Sequence, residues 1–421
     1  MAGAFPSSLK IGKIVPIFKK GEKTTINNYR PVCVLPILSK IFEKIFLFRL
    51  TNFIEANGLL PPSQFGFRKN NSCQMAVIDS ILETSKRLQN SEKVALLLLD
   101  LSKAFDNVQH NKLLEILTNL GIRGVALSWI QSYLNKRPFF VSINDSFSSL
   151  SHFEKGVPQG GILSPTLFNL YIADLPQFVN YYCIQYADDT NLIISDKDET
   201  SLFNKMNLAF SSCFDYFESR GLTLNAAKTE IVLFKCSNNS PLKLGKSGTE
   251  VQPSNSVKFL GFIIDNKLKL HQNIDMIIRK LCSLFSPIYN SRNFLPCNTK
   301  LIFYYDFPYS SMIYPSVLLS LYLNCKINEL MKDQKKIVKC LFSKPKRFSC
   351  TKLLDDTKII PMSSCINHEI VKFMQKVIHN NCNPLHQGPF FILTTTSKQA
   401  DSPTPFKPQS LTLSFFLSAM E

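Results

Sequence analysis

Two adjacent aspartates, Asp188 and Asp189, lie between two short apolar runs and constrain the fold of this chain more than any other feature. The runs at 183–186 and 191–194 read as strands, so the two acids are expected at the tip of a β-hairpin. Neighbouring carboxylates repel each other and lose hydration, which is unfavourable unless cations neutralise them. Hard divalent cations with oxygen ligands, above all magnesium, are their natural partners. By itself the motif is also compatible with a turn whose acids are simply solvated.

A third acidic residue, Asp100, stands at the end of the apolar run 94–99. If the strand formed by this run neighbours the hairpin, Asp100 and Asp188 can together hold two metal ions against a phosphate. That arrangement supports in-line nucleotidyl transfer. The hypothesis depends on an adjacency that only the folded chain can test.

The charge balance indicates the kind of partner. The chain of 421 residues carries 48 lysines and arginines against 31 aspartates and glutamates, a formal net charge of +17. Such an excess favours a polyanion, either nucleic acid or an anionic membrane surface. We expect no membrane partner, since we find no signal sequence and no apolar stretch of about 20 residues. The twelve cysteines lack C-x-x-C spacing and predict reduced thiols in an intracellular protein.

A glycine-rich stretch, residues 156–165, is the second dense motif. Its three glycines and Pro158 prevent a regular element, whereas Ser164 followed by Pro165 reads as a helix N-cap and first helical position. The stretch therefore predicts a loop that leads into a helix. Loops of this composition bring the backbone close to a ligand, here a base pair or a sugar-phosphate. An ordinary glycine turn is the alternative.

Residues 11–36 read as two short strands around a basic loop. Lys19, Lys20 and Arg30 in this hairpin form a plausible triphosphate clamp, because an arginine binds phosphate oxygens in a fork. A charged hairpin tip that is merely solvated is the equally weighted alternative.

Three further patterns predict secondary structure. A helix from Ser39 to Asn57 is expected, with Ser39 as its cap. The apolar stripe that this helix should bury comprises Ile41, Phe42, Ile45, Phe46, Phe53 and Ile54. The run 257–264 predicts one strand, and the chain from about residue 267 predicts helices.

Motifs in a fixed order carry a family resemblance. They are Asn28-Tyr29-Arg30-Pro31, Gln64-Phe65-Gly66-Phe67-Arg68, Leu99 to Asp106, Gly156 to Gly160, Tyr186 to Asp189 and Val257 to Gly261. In this order they resemble the motifs of the reverse transcriptase domain of non-LTR (LINE-type) retrotransposons, nearest to the jockey-like group. The resemblance runs from about residue 8 to about residue 265, and so many motifs in register make coincidence negligible.

The resemblance implies an α+β fold, a right-hand polymerase with a ferredoxin-like antiparallel palm sheet, fingers and a helical thumb. The implied domains are N-terminally truncated fingers with the palm entry at 1–90, and a palm with the catalytic motifs at 91–265. A helical thumb-like region at 266–350 and a C-terminal extension at 351–421 follow. The tail from about residue 386 is rich in Ser, Thr and Pro, and we expect it to be disordered.

The resemblance also assigns roles to residues. It implies that Asp100, Asp188 and Asp189 are the catalytic carboxylates and the metal ligands, with Asp189 in a weaker supporting role. Lys228 matches a lysine proposed to protonate the leaving pyrophosphate. The nucleotide-binding positions that it implies are Lys19 or Lys20, Arg30, Phe105, Gln159 and Gly160.

Three positions bear on the match in detail. Phe105 corresponds to the bulky residue beneath the sugar, whose ring collides with a ribose 2′-OH and so selects dNTPs over rNTPs. Gly161 and Ser164 depart from the family pattern. The nearest relatives commonly carry serine at the first of these positions and glycine at the second.

The implied function is RNA-directed DNA polymerase activity, which adds dNTPs to a primer 3′-OH by two-metal transfer during retrotransposon replication. The expected cofactors are two Mg²⁺ ions, with Mn²⁺ as a substitute, and the expected partners are an RNA template and a DNA primer. The endonuclease that such elements use is not recognisable in this sequence and is expected to be separate or missing. The expected location is intracellular, in the nucleus or the cytoplasm. The alternative is a catalytically inactive, RNA-binding remnant or fragment of a retroelement.

Overall fold

Helices and strands alternate irregularly along the chain, which confirms the predicted α+β class. The computed structural model describes residues 3–237, 241–244, 249–318 and 324–379. The chain divides into two units, the first made of Met1–Ala76 and Asn90–Asn255, the second of Val77–Gln89 and Ser256–Glu421. The assignment of fingers, palm, thumb and extension to residue ranges stays a prediction. The tail from about residue 386 lies outside the described residues.

The first unit contains two larger sheets and the helices that cover them. Its strands are β1 (Gly12–Phe18), β2 (Tyr29–Val34), β3 (Lys93–Leu99), β4 (Leu101–Ser102), β5 (Arg137–Ile143), β6 (Ser146–Phe147), β7 (Ser151–Phe153), β8 (Tyr182–Tyr186), β9 (Asp189–Asp196), β10 (Thr223–Leu224), β11 (Glu230–Phe234), β12 (Leu242–Leu244) and β13 (Thr249–Val251). Its α-helices are α1 (Ile37–Ala56), α3 (His110–Asn119), α4 (Gly124–Leu134), α5 (Ser164–Tyr171), α6 (Leu175–Val179) and α7 (Glu199–Ser219), while α2 (Cys73–Gln89) lies mostly in the second unit.

The second unit is largely helical, as predicted for the chain beyond about residue 267. It contains β14 (Ser256–Phe259), β15 (Phe262–Asp265), α8 (His271–Ser291), α9 (Cys297–Tyr304), α10 (Ser310–Ile313), α11 (Asn324–Leu341), α12 (Cys350–Thr357) and α13 (Met362–His379). A π-helical segment, Tyr305–Tyr309, joins α9 to α10. No helix within the described residues is long and apolar enough to cross a bilayer.

A four-stranded antiparallel sheet, in the order β11-β3-β9-β8, carries the acidic motifs. Strand β3 lies inside this sheet, between β11 and β9. It is almost entirely apolar and buried, because strands flank both of its edges and side chains from other elements pack on its faces. The register of β3 against β9 ends at the pair Leu99↔Thr190. On one face, Leu97 and Leu99 join the hydrophobic core to which α5 and α7 contribute.

The second large sheet of this unit, in the order β2-β1-β5-β6, holds the basic hairpin. β1 and β2 pair antiparallel from Lys13↔Val34 to Phe18↔Tyr29, which confirms the two predicted strands and puts the basic loop at their tip. β5 lies parallel to β1 on its other side, and β7 pairs with β5. The hairpin is thereby fixed to the rest of the unit through β5.

Helix α1 differs from its prediction in its start and in the face that it buries. The helix begins at Ile37 after Pro36, so Ser39 is an internal residue and not the cap. The buried face carries Ser39, Glu43, Leu50 and Ile54. Most of the predicted stripe is exposed instead: Ile41 by 48 %, Phe42 by 43 %, Ile45 by 52 % and Phe53 by 38 %. Apolar residues occur around the whole helix, so their spacing alone could not identify the inner face.

The run 257–264 forms the hairpin β14–β15 and not the single predicted strand. Leu260 and Gly261 adopt positive φ angles of 46° and 86°, which produces a two-residue turn of the type that hairpins favour. Strand β12 pairs antiparallel with β13. The difference at 257–264 comes from a turn inside an apolar run, which periodicity does not report.

Candidate functional site

The aspartate pair occupies a tight turn between β8 and β9, as predicted. Tyr186 pairs with Asp189 across the turn, and Ala187 adopts a left-handed φ of 55°. The carboxylates of Asp188 and Asp189 are therefore presented at the end of the central sheet. This conformation is uncommon for alanine and needs support from the surroundings.

Gln64 supplies that support from the preceding motif. Its side chain is 1 % exposed, and its Oε1 accepts hydrogen bonds from Gly66 N at 2.9 Å and Ala187 N at 3.1 Å. A Cβ atom at Gly66 would lie 2.4 Å from Ala187 N, so only glycine permits this approach. The backbone at Gly66 thus lies directly against the aspartate turn.

Asp100 lies beside this turn, because β3 neighbours β9 and Asp100 follows Leu99 directly. The adjacency on which the two-metal hypothesis depends is therefore present. Asp100 and Asp188 both line an open cleft of about 880 Å³, whereas Asp189 does not. The cleft belongs entirely to the first unit.

The surroundings of the aspartate turn disfavour the ionised form of its two carboxylates. Desolvation and, in second place, repulsion from Asp188 and then Asp100 raise the pKa of Asp189 to about 6. Desolvation also raises the pKa of Asp188, and repulsion from Asp100 adds to it, while Arg30 and Lys19 act in the opposite direction. A bound cation would remove this repulsion.

The donor set fits hard divalent ions, since it consists of carboxylate oxygens on neighbouring strand ends. In the residues that the structure describes, however, no three acidic, histidine or cysteine side chains are already grouped as a metal centre. Asp100 Oδ2 instead pairs with Lys228 Nζ at 3.4 Å, and both side chains are substantially exposed. Three carboxylates line the cleft: Asp106 accepts a hydrogen bond from the Gln159 side chain, whereas Asp100 and Asp188 lie together at neighbouring strand ends and could hold metal.

The residues that the resemblance assigns to nucleotide binding come together in this cleft, with one exception. Those that line it are Lys19, Arg30, Phe105, Gln159 and Gly160, together with Lys228. Lys20 is not among the lining residues, so the geometry favours Lys19 of the two lysines. These side chains come from two sheets and a loop that are distant in sequence.

Phe105 is packed at the wall of the cleft. It lies in a short 3₁₀ segment, Ala104–Asn107, and stacks on Phe168 of α5 with ring centroids 4.8 Å apart. Its carbonyl oxygen accepts a hydrogen bond from Val157 N at 2.8 Å. These contacts tie the Phe105 segment to α5 and to the glycine-rich loop.

The glycine-rich loop contacts β2 closely. Cys33 N donates to Gln159 O at 2.7 Å, and a Cβ at Gly160 would lie 2.3 Å from Cys33 O. Gly160 also has a positive φ of 124°, so glycine is required here by both sterics and conformation. The side chain of Gln159 donates to Asp106 Oδ1 at 2.8 Å. The loop is an ordered part of the cleft wall.

Ser164 does not cap α5, contrary to the prediction. The N-cap position is Leu163, which has no side-chain cap. The hydroxyl of Ser164 donates instead to Pro158 O at 2.8 Å, across the glycine-rich loop. A serine followed by proline reads as a cap in the sequence, but the helix starts one residue earlier.

Sequence reasoning missed three polar residues of the site: Gln64, Asp106 and Asn225. Asn225 lines the cleft, and its backbone N donates to Asp100 O at 2.8 Å. Desolvation is the main cause that raises the pKa of Asp106, the acceptor of the Gln159 amide. Asp106 and Gln64 lie inside two of the sequence motifs named above, and that position could have indicated a role in the site. Asn225 belongs to none of those motifs, and its only sequence signal is its place three residues before Lys228.

Comparison with known proteins agrees with the motifs. The family model described as "Reverse transcriptase (RNA-dependent DNA polymerase)" matches residues 17–264. The chain is 25% identical over 392 residues to the RNA-directed DNA polymerase from mobile element jockey of Drosophila melanogaster, a match that covers 90% of this chain and 43% of that protein. It is 30% identical over 312 residues to the probable RNA-directed DNA polymerase from transposon X-element of the same species, covering 71% and 34%. The chain thus spans less than half the length of these curated relatives.

Solved structures give weaker similarities. A telomerase from Candida albicans, in complex with a fragment of telomeric RNA, matches with a TM-score of 0.47 and 13% identity, covering 85% of this chain and 66% of that one. An RNA-dependent RNA polymerase of a human virus matches with a TM-score of 0.41 and 14% identity, covering 86% and 64%.

Proposed function

The chain belongs to the reverse transcriptase (RNA-dependent DNA polymerase) family, and from this premise we propose that it catalyses RNA-directed DNA synthesis. The observation that carries the proposal is the shared cleft of Asp100 and Asp188, which two separate strands bring side by side. Two such carboxylates, on the wall of an open cleft that Lys19 and Arg30 also line, would form a site for nucleotidyl transfer.

The substrate that we propose is a dNTP. Lys19 and Arg30 would bind its triphosphate, because both are exposed cations on the wall of the cleft. Gln159 would contact the nucleotide near the primer end, with Gly160 beside it. Phe105, stacked on Phe168, would exclude a ribose 2′-OH by steric collision.

Asp100 and Asp188 would hold two Mg²⁺ ions, with Mn²⁺ as a substitute and Asp189 in a supporting role. When bound, the ions supply a lowered pKa for the primer 3′-OH and neutralise charge in the transition state. Lys228, whose Nζ lies 3.4 Å from Asp100 Oδ2, would donate a proton to the leaving pyrophosphate. The chain itself contributes positioning and electrostatics, which account for most of the acceleration in phosphoryl transfer.

The partners that we propose are an RNA template and a DNA primer, in retrotransposon replication inside the cell, in the nucleus or the cytoplasm. The net charge of +17 supports a nucleic-acid partner.

The test is primer extension by the full chain on an RNA template, with dNTPs or rNTPs and with Mg²⁺ or Mn²⁺. Asp188→Asn should reduce incorporation by more than about a hundredfold, because the cleft loses one of its two metal-binding carboxylates. Asp145→Asn, at an exposed hairpin turn, is the matched control and should leave the rate unchanged. An active Asp188→Asn enzyme would refute the proposal. RNA binding without any incorporation by the wild type would favour the inactive remnant.

A further inference from the structure

Glu43 is a completely buried carboxylate, 0 % exposed, that the proposed chemistry does not use. It lies on the inner face of α1 and points at the glycine-rich loop. Its Oε2 accepts hydrogen bonds from Ile162 N at 2.7 Å and Leu163 N at 3.2 Å, and its Oε1 accepts one from Ser39 Oγ at 3.1 Å. A buried carboxylate is costly unless it is hydrogen-bonded, and these bonds meet that requirement.

The two amides that Glu43 binds lie just before α5. Leu163 is the N-cap residue of this helix, and Ile162 is the loop residue that precedes it. The Glu43 carboxylate therefore lies at the N-terminal end of α5, where the positive end of the helix dipole favours a negative charge. It joins the end of the glycine-rich loop to α1.

The contact is direct, without room for a water molecule at the crossing point. A Cβ at Gly161 would lie 3.1 Å from Glu43 Oε2 and 2.9 Å from Tyr133 Oη, both of them fully buried groups. The loop backbone is pressed against the carboxylate. A change in the length or charge of residue 43 would therefore alter a direct contact with the loop backbone.

Gln159 lies at one end of a short loop segment that is held at both ends. At the Gln159 end, Cys33 N of β2 donates to Gln159 O, and the Gln159 side chain donates to Asp106 Oδ1. At the other end, Glu43 accepts from the amides of Ile162 and Leu163. β2 is also the strand that carries Arg30. Glu43 therefore fixes the far end of a loop segment whose near end, Gln159, lines the same cleft as Arg30.

We propose that Glu43 is a positioning residue for nucleotide binding, which acts by fixing the glycine-rich loop and hence Gln159. The inference rests on the proposed function for its substrate, the dNTP, but its physical basis is the contact between a carboxylate and two backbone amides. Glu43 does not touch the reacting atoms. Its effect is expected in substrate affinity more than in the rate of the chemical step.

Steady-state primer extension with Glu43→Gln tests the proposal. The variant keeps the size of the side chain but removes the charge that strengthens both hydrogen bonds, so the KM for dNTP should rise about tenfold, with kcat within about threefold of wild type. Glu115→Gln, at an exposed position of α3, is the control and should change neither constant. An unchanged KM, or a loss confined to kcat, would overturn the proposal.

Amide hydrogen exchange gives a readout that does not depend on activity. In Glu43→Gln the amides of Ile162 and Leu163 should exchange at least about tenfold faster, while those of β3 and β9 keep their wild-type protection. Faster exchange throughout the first unit would indicate a general structural role and count against positioning. If the wild type fails to extend a primer, the proposed function fails, whereas local exchange still decides whether Glu43 fixes the loop.

A milder variant covers the case in which Glu43→Gln does not fold. Ser39→Ala removes only the hydroxyl that donates to Oε1 and leaves the carboxylate in place. It should raise the KM for dNTP about two- to threefold, because the carboxylate is then less firmly oriented. A KM equal to that of the wild type, together with unchanged exchange at Ile162, would refute the role assigned to Glu43.

Discussion

At Gly161 the side chains of three other residues converge on the position that a Cβ atom would occupy. Ser164 Oγ would lie 2.7 Å from it, Tyr133 Oη 2.9 Å and Glu43 Oε2 3.1 Å. The Ser164 hydroxyl is kept there by its hydrogen bond to Pro158 O. Serine at 161 and serine at 164 thus compete for one space, which gives a physical reason why both positions depart from the family pattern together.

This competition predicts a strong coupling between the two positions. Gly161→Ser alone should destabilise the chain by about 1–3 kcal/mol through overpacking, and adding Ser164→Gly should recover at least half of that loss. Chemical denaturation of the two single variants and the double variant measures the coupling. Strictly additive effects would show that the two side chains do not compete.

At the scale of elements, strands and one short segment together form the site. The predicted strands of the central sheet and of the basic hairpin are confirmed by their pairing, and this pairing brings Asp100 next to the aspartate turn. The Gln64 segment completes the arrangement: Phe65 N donates to Gln185 O, and Gln185 N donates to Ser63 O. The aspartate turn is therefore supported from a part of the chain that precedes it by more than a hundred residues.

Substitution of Gln64 tests this support. Gln64→Ala leaves the buried amides of Gly66 and Ala187 without their acceptor, which should cost about 1–3 kcal/mol of stability and lower primer extension about tenfold or more. Thermal unfolding and primer extension are the two measurements. Gln131→Ala, on the exposed surface of α4, serves as the control. Wild-type activity in Gln64→Ala would mean that the turn holds its shape unaided.

Sequence patterns predict the positions of the acidic site residues better than they predict which face of a helix is buried. Acidic residues at the ends of apolar runs locate the turn and Asp100, because polar groups at strand ends have few alternatives to solvent or a ligand. The predicted inner face of α1 is wrong, since a helix with apolar residues on every side gives no preferred direction. Long-range hydrogen bonds, such as those of Gln64 and Glu43, depend on which segments meet in space, and neighbouring residues do not encode that.

At the scale of the whole molecule, the net positive charge is the property that bears on the binding of nucleic acid. The excess of 17 positive charges is spread over a protein whose proposed substrates are polyanions. Binding of this kind is driven by release of counterions from the nucleic acid, so it depends steeply on salt.

Template binding should therefore weaken as salt increases. If the chain neutralises at least about three phosphates of a single-stranded RNA, its affinity should fall about tenfold or more between about 50 mM and 200 mM salt. Fluorescence anisotropy with a labelled RNA measures the slope. Asp188→Asn is the matched control and should show the same slope, because it removes metal binding and leaves the basic residues in place. An affinity that is independent of salt would contradict an electrostatic mode of binding.

The outward face of α1 matters for anyone who handles this polypeptide at the bench. Ile41, Phe42 and Ile45 meet water on one helix, and Phe48 beside them is exposed by 69 %. Exposed apolar surfaces of this kind adsorb to plastic and to chromatography resin, and they promote self-association. Purification in a mild non-ionic detergent, at low protein concentration, would therefore suit a protein with this exposed apolar face.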